Sequence, residues 1–540
     1  MQPDFDIDLY NERLNALYSR FQSVQKVGFT GDAYKPGLSG MARFSALLGD
    51  PWKEYPCIHV AGTNGKGSVC SMLASALAAG CGGLMHADGQ CRYPGHLFSG
   101  TEPALCPSRM ACGEAVASGG QVGLYTSPHL LDFRERMKII SDGGFEMITR
   151  EEVWEFLNLY EKDFDGLSFF EITTGMAFWW FARRGVDAAV IEVGLGGRLD
   201  STNIITPVLS VVTSIGLDHC ALLGSTRAEI AFEKAGIFKP GVPALVGVRD
   251  VETASVFEEV ATSVGAPLTF ASDMPKFDSA ESSILSRMDL TGPCQDLNLH
   301  TVLAALHLLS PVSDTKMAPS VSARPFWPTQ TPIKAQRCLL DRFGQRRHQN
   351  GPDGVCPPIS DTPDTKTGIQ VEIADAIAAA ATRTGLWGRW QRICTKPEVI
   401  CDIGHNPPAL KENFGRLKKL QEEGRSIIIV YGIMADKDLS GIAPLMPDAA
   451  RYILAAPDNQ RAMPAEELLQ RLKQLRPDLN CQIGAGDNTG GTPGPEGSVQ
   501  GAVRQALSLA QDLPKPLIYI GGSTFVVAEA LPLFNKNTEA

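Results

Sequence analysis

The strongest constraint on the fold is a set of short runs that are almost wholly apolar and rich in β-branched residues. Cys57-Ile-His-Val-Ala61, Asp187-Ala-Ala-Val-Ile-Glu-Val193 and Val208-Leu-Ser-Val-Val-Thr213 lie in the N-terminal part. Val399-Ile-Cys-Asp402, Ser426-Ile-Ile-Ile-Val-Tyr431, Tyr452-Ile-Leu-Ala455 and Leu517-Ile-Tyr-Ile520 lie in the C-terminal part. Such runs suit strands buried on both faces, which is the situation in a parallel sheet. Helical stretches over 68–79, 151–160, 173–183 and 227–235 separate the first group and give the βαβ rhythm of a doubly wound fold. The chain therefore reads as α/β, with a mainly parallel N-terminal sheet and a second, smaller α/β domain.

Two stretches break this rhythm. Residues 80–121 are Gly-, Cys- and Ser-rich without periodicity, and residues 310–368 are rich in Pro, Ser, Thr and Asp. Long structureless stretches are uncommon inside compact domains, so both read as exposed insertions. The implied division is 1–309 for the first domain with its insertion over 80–121, 310–382 for a second insertion and linker, and 383–540 for the second domain. Of 540 residues, 49 are Lys or Arg and 60 are Asp or Glu, a formal net charge of −11 that argues against a nucleic-acid or membrane-surface partner. No apolar run reaches the roughly 18 residues of a membrane span. The acidic start Met1-Gln-Pro-Asp-Phe-Asp lacks the layout of a secretory or transit segment, so the expected compartment is the cytoplasm, with mitochondria as the alternative. Among the 13 cysteines there is no CxxC pair, and Cys81, Cys91, Cys106 and Cys112 read as ordinary thiols. Nothing in the sequence demands more than a monomer.

Val60-Ala-Gly-Thr-Asn-Gly-Lys-Gly-Ser-Val69 leaves a predicted strand and opens a predicted helix. Gly62, Gly65 and Gly67 let the backbone curl so that its amides face an anion, Lys66 adds a point charge, and the helix start adds its partial positive charge. The Ser68 hydroxyl stands where a Mg²⁺ ligand is wanted. The usual pattern places Ser or Thr directly after the lysine, whereas Gly67 intervenes here.

Further motifs follow in a fixed order. They are Tyr125-Thr-Ser-Pro-His-Leu130, Phe170-Glu171, Ile191-Glu-Val-Gly-Leu-Gly-Gly-Arg-Leu-Asp-Ser-Thr-Asn203, Gly216-Leu-Asp-His219 and Glu233-Lys-Ala-Gly-Ile237. The series continues with Gly292-x-x-Gln-x-x-Asn298, Trp387-x-Arg389, Asp402-x-x-His-Asn-Pro407 and Gly521-Gly-Ser523. With the phosphate loop, this series resembles the folylpolyglutamate synthase and dihydrofolate synthase family of the Mur ligase superfamily, over nearly the whole chain outside the two insertions. The resemblance implies a P-loop, Mur-ligase-like ATPase domain followed by a Rossmann-like glutamate-ligase domain.

It also implies roles. ATP would be held by Gly62, Thr63, Asn64, Gly65, Lys66, Gly67 and Ser68, and from the other side by Gln295, Asn298, Arg389 and Asp402. Mg²⁺ would be held by Ser68, Ser127, Glu192, His219 and Lys234, the last as a carbamate; the plain alternative for Lys234 is a solvated charge. Lys66, His219, Lys234, Arg389 and His405 are the catalytic candidates. Phe169, Phe170 and Glu171 are the candidates for a pteridine, although the two rings also suit a core. His405 and Ser523 are candidates for the incoming glutamate or the phosphates, with surface turns as the alternative. One departure is Cys294 before Gln295, where the family often has histidine.

The expected partners are thus ATP, L-glutamate and a dihydropteroate or folate carboxylate. Asn64 stands where polyglutamate-only eukaryotic enzymes tend to carry lysine, which favours dihydrofolate synthase, with folylpolyglutamate synthase as a second activity. The alternatives are a folylpolyglutamate synthase only, a cell-wall precursor ligase of the same superfamily, or a nucleotide-binding homologue impaired because the 80–121 insertion displaces Ser127. A cell-wall ligase usually needs a further N-terminal nucleotide-sugar domain, which the roughly 50 residues before the phosphate loop are too few to form.

Overall fold

The structure, a computed structural model, describes residues 5–21, 37–80, 120–309, 371–486 and 495–534. The insertions over 80–121 and 310–368, with the four clustered cysteines of the first, fall almost wholly outside these residues.

The first sheet has eight strands among the described residues: β1 (Cys57–Ala61), β2 (Val122–Tyr125), β3 (Met137–Ser141), β4 (Gly144–Met147), β5 (Ala188–Glu192), β6 (Leu209–Val212), β7 (Ala244–Val246) and β8 (Leu268–Phe270). Their order is β4-β3-β2-β5-β1-β6-β7-β8. From β2 to β8 every pairing is parallel, and β3 and β4 extend the sheet as an antiparallel edge. β1 and β5 are buried at every position, as their unbroken apolar runs require. β2 was not legible as a strand, because its four residues Val-Gly-Leu-Tyr directly follow the Gly-rich stretch.

Helices cover both faces of this sheet. Lys66–Gly80 is buried from Gly67 to Ala78, since its Gly, Ala and Ser positions let the sheet and the helices Gln295–Leu309 and Val371–Ala378 approach closely. The Ser75 hydroxyl donates to the Ala376 carbonyl at 2.6 Å. Residues 371–382, read above as linker, and 383–384, read as the start of the second domain, therefore pack on the first domain. On the other face, Phe169–Arg184 carries a core of large aromatics including Phe178, Trp180 and Phe181. The Lys138 ammonium donates to the carbonyls of Thr384 (2.8 Å) and Gly385 (2.9 Å), fixing the point where the chain leaves for the second domain.

The second sheet holds β9 (Gln391–Thr395), β10 (Glu398–Asp402), β11 (Ser426–Tyr431), β12 (Arg451–Leu454), β13 (Asn480–Ile483) and β14 (Pro516–Gly521), in the order β13-β12-β11-β14-β10-β9. All pairings are parallel except β9 on β10. Strand alternation splits the core: Ile427, Ile429 and Tyr431 meet Phe414 and Leu468, whereas Ile428 and Val430 meet Val503 and Val526. Two α/β units, each covered on both faces, match the expected fold class.

Candidate active site

Open parallel sheets place ligands beyond the C-terminal ends of their strands, at the point where the strand order reverses. Here β2, β5, β1 and β6 are neighbours and point the same way. Their ends release, side by side, Ser127, Glu192, the loop 62–65 and the segment 213–219.

The loop has the curled backbone its glycines promised. Gly62 and Gly65 have φ of +149° and +85°, and a Cβ at Gly65 would lie 2.3 Å from the Asn298 Oδ1. Lys66 opens the helix and its Nζ donates to the carbonyls of Gly62 (3.1 Å) and Thr63 (3.3 Å). Gln295 Nε2 donates to the buried Ser68 hydroxyl at 3.3 Å, and Asn298 Nδ2 donates to Gln295 Oε1 at 3.0 Å. Thr63 Oγ1 exchanges hydrogen bonds with the backbone of Gly216, which ties the loop to the His219 segment.

Glu192 ends β5 and is buried, and its Oε2 accepts from the Ser127 backbone N–H at 3.1 Å. Burial raises its pKa, while nearby Lys66 and Arg389 oppose the rise. Arg389 comes from the second domain, yet its Nη2 would lie 3.1 Å from a Cβ on Gly67. Burial lowers its pKa, opposed by Asp402 and Glu192. A buried carboxylate, two hydroxyls and two cationic side chains from different domains thus surround the helix start. A cleft of about 130 Å³ next to them is lined by Lys66, Ser127, His219, Lys234, Asp218 and His405 among others. Lys234 is buried, not a solvated charge, and desolvation with the field of Lys66 lowers its pKa to about 7.

His219 adopts φ +53° and follows Asp218, which sequence reasoning quoted but did not assign. Asp218 Oδ1 accepts from Lys437 Nζ at 2.7 Å, and its Oδ2 accepts from Asn406 Nδ2 at 2.9 Å. Although burial alone would raise the Asp218 pKa, His405, His219 and Lys437 together hold it well below the usual carboxylate range. Burial lowers the His219 pKa to about 3 in spite of Asp218. Among the described residues, Asp218, His219 and His405 bring their potential ligand atoms within 4.8 Å of one another. His219 therefore sits with Asp218 and His405 on the wall of this cleft.

Four candidates carry structural contacts of their own. Glu171 completes a capping box with Ser168, its Oε2 accepting from the Ser168 N–H and hydroxyl at 2.7 and 2.8 Å. Phe169 is buried and stacks on Tyr18 at 5.3 Å between centroids. Phe170, by contrast, abuts the cleft, because a Cβ on the lining residue Gly194 would meet its ring at 2.4 Å. Ser523 caps the helix Thr524–Ala530 by accepting from the Phe525 N–H. Asp402 commits both oxygens within its own domain, to the N–H groups of Trp390 and Gly404 and to Asn413 Nδ2. It thereby holds the turn that presents Arg389.

This geometry can be set beside known proteins. Residues 388–523 match the Mur ligase glutamate ligase domain. The dihydrofolate synthase/folylpolyglutamate synthase of Escherichia coli K12 is 30% identical over 439 residues, covering 81% of each chain. The chain belongs to the folylpolyglutamate synthase/dihydrofolate synthase family. The folylpolyglutamate synthase of Lacticaseibacillus casei is also 30% identical, over 77% of this chain and 80% of that protein. A probable bifunctional folylpolyglutamate synthase/dihydropteroate synthase of Haloferax volcanii is 29% identical over 96% of this chain, which spans half of that protein's length. The solved E. coli FolC in complex with DHPP and ADP superposes with a TM-score of 0.63 at 25% identity, over 97% of both chains. The site is that of an ATP-dependent, amide-bond-forming ligase of this family, in the Mur ligase superfamily. A Yersinia pestis structure of this fold, 23% identical with a TM-score of 0.63 over 97% of both chains, is complexed with AMPPNP and Mn ion.

Proposed function

We propose that the chain joins the carboxylate of dihydropteroate to the α-amine of L-glutamate, and extends folates by further glutamates as a second activity. The observation that carries this reading is the convergence of Lys66, Ser68 and Glu192 of the first domain with Arg389 of the glutamate-ligase domain at one helix start.

The substrate carboxylate attacks the γ-phosphorus of ATP, forming a carboxylic–phosphoric anhydride and releasing ADP. Lys66 and Arg389 offset the charge on the transferring phosphoryl oxygens. The glutamate amine then attacks the acyl carbon and expels phosphate, and the cleft between domains keeps water from the acyl phosphate. A divalent cation, when bound, neutralises phosphate charge. The donor set fits one, since Glu192 is a buried carboxylate held by the Ser127 N–H and the buried Ser68 hydroxyl lies at the adjoining helix start; Ser68, Ser127, Glu192 and His219 would hold the cation. Lys234 would join them as a carbamate, supported by the depressed basicity of its buried amine. Adenosine would lie by Asn298, next to Gly65.

The impaired-homologue reading is not favoured, because Ser127 remains hydrogen-bonded to Glu192 at the strand end. With this reading go the division of the chain into 1–309, 310–382 and 383–540, action as a monomer on small molecules, and a cytoplasmic setting. No described helix is long and apolar enough to cross a membrane.

The test offers labelled glutamate with ATP to dihydropteroate and to tetrahydrofolate. Label is expected in both products. Incorporation into tetrahydrofolate alone would leave a polyglutamate synthase only, and incorporation into neither would sink the proposal.

A further inference from the structure

Asn406 is buried and opens the helix Pro407–Glu422 in the second domain as its N-cap. All four hydrogen-bonding capacities of its side-chain amide are used. Its Oδ1 accepts from Ala409 N–H (3.0 Å) within its own domain and from Asn64 Nδ2 (3.2 Å) on the phosphate loop. Its Nδ2 donates to Asn64 Oδ1 (3.0 Å) and to Asp218 Oδ2 (2.9 Å), both in the first domain. The same Asp218 carboxylate takes the second-domain Lys437 ammonium through its other oxygen, with both side chains only about a tenth exposed. One asparagine therefore connects a helix of one domain to the phosphate loop and the His219 turn of the other.

We infer that Asn406, with Asn64, Asp218 and Lys437, is an interdomain latch, and that Asn406 is a positioning residue for the ligase reaction. The chemistry suits a contact that must open and close. On opening, each amide, the carboxylate and the ammonium of this contact can exchange their partners for water. On closing, the paired amides fix Asn64, and with it the loop that faces the phosphates. The Asp218 carboxylate also accepts from the His219 backbone N–H at 2.9 Å, so closure holds the left-handed turn at the same time. Geometry at reacting groups is sensitive to such positioning. This inference rests on the ligase reading for its kinetic consequence but not for its structural one.

Asn406→Ser separates the latch from the helix cap. A serine hydroxyl still accepts from the Ala409 N–H, as N-cap serines do, but is too short to span to Asn64 and Asp218. Lys437→Met, which removes only the ion pair, is the second variant should the first be poorly folded. The full chain is studied with AMP-PNP by small-angle scattering, and with ATP, glutamate and the acceptor by steady-state kinetics. Asn406→Ser is expected to keep its Tm within a few degrees, to lose the compaction that AMP-PNP induces in the wild type, and to lower kcat about tenfold to a hundredfold. Undiminished compaction in both variants, or a kcat for Asn406→Ser within about twofold of wild type, would overturn the latch. A rise in the KM for glutamate with compaction intact in Lys437→Met would assign that lysine to the substrate instead. If the wild type compacts through these residues but forms no amide, the latch stands and the proposed activity falls.

Discussion

Lys66→Met is expected to lower ligase turnover by about a thousandfold, on the order of 4 kcal/mol in the transition state. The ammonium is the charge of the phosphate loop that sits within reach of the loop carbonyls, donating to Gly62 and Thr63. Methionine preserves the length and much of the apolar stem but not the charge. Because the phosphoryl oxygens gain their charge distribution during transfer, the loss should fall on kcat more than on the KM for the acceptor. Arg389 cannot compensate, since it approaches the loop from the other domain at Gly67. The measurement is phosphate release under saturating ATP; turnover within a factor of ten of wild type would remove Lys66 from the phosphate site.

Lys234→Met should bring a loss of about a hundredfold to a thousandfold together with a gain in stability. Lys234 lies on the buried stripe of the helix Arg227–Ala235, with Ile230, Ala231 and Ala235. Burial and Lys66 lower its pKa to about 7, against about 10.4 in an unfolded chain. Between these values the unfolded state binds more protons than the native state. The stability of the unmodified chain therefore rises with pH from about 7 towards 10, and its penalty is largest below pH 7. Methionine removes the penalty, so the variant should melt higher than unmodified wild type, most clearly below pH 7. Activity is lost for a different reason: a neutral amine can add CO2 and become an anionic oxygen donor, which methionine cannot. Equilibration of the wild type with ¹³C-bicarbonate should give a carbamate carbon signal that is absent from the variant. A variant with normal turnover, or a wild type without that signal while active, would remove the carbamate from the account.

The strands were legible wherever a run was buried on both faces, as in β1, β5, β6, β11 and β14. The edges were not, because β4 and β9 are half-exposed, and the buried β3 has its apolar run broken by Lys138. The phosphate loop was legible because strand, glycines, lysine and helix are contiguous in the chain. The Asp218–Asn406–Lys437 group was not, since it joins residues up to 219 positions apart and exists only once two domains meet. Glu171 and Ser523 show a different kind of miss. Ser168-Phe-Phe-Glu171 has the Ser-x-x-Glu spacing of a capping box, and Ser523 stands directly before an apolar helix, so both helix starts could have been read from the sequence. Lys234 was decidable as well, because it falls four residues after Ile230 on the apolar stripe and not on the solvated face.

The most direct test of the account follows oxygen. Dihydropteroate labelled with ¹⁸O in its carboxylate is incubated with ATP, L-glutamate and the enzyme, and the products are weighed by mass spectrometry. Passage through an acyl phosphate transfers one carboxylate oxygen to the released phosphate, so one ¹⁸O should appear in phosphate for each amide formed. Phosphate without ¹⁸O, or ATP consumed without an amide, would contradict it.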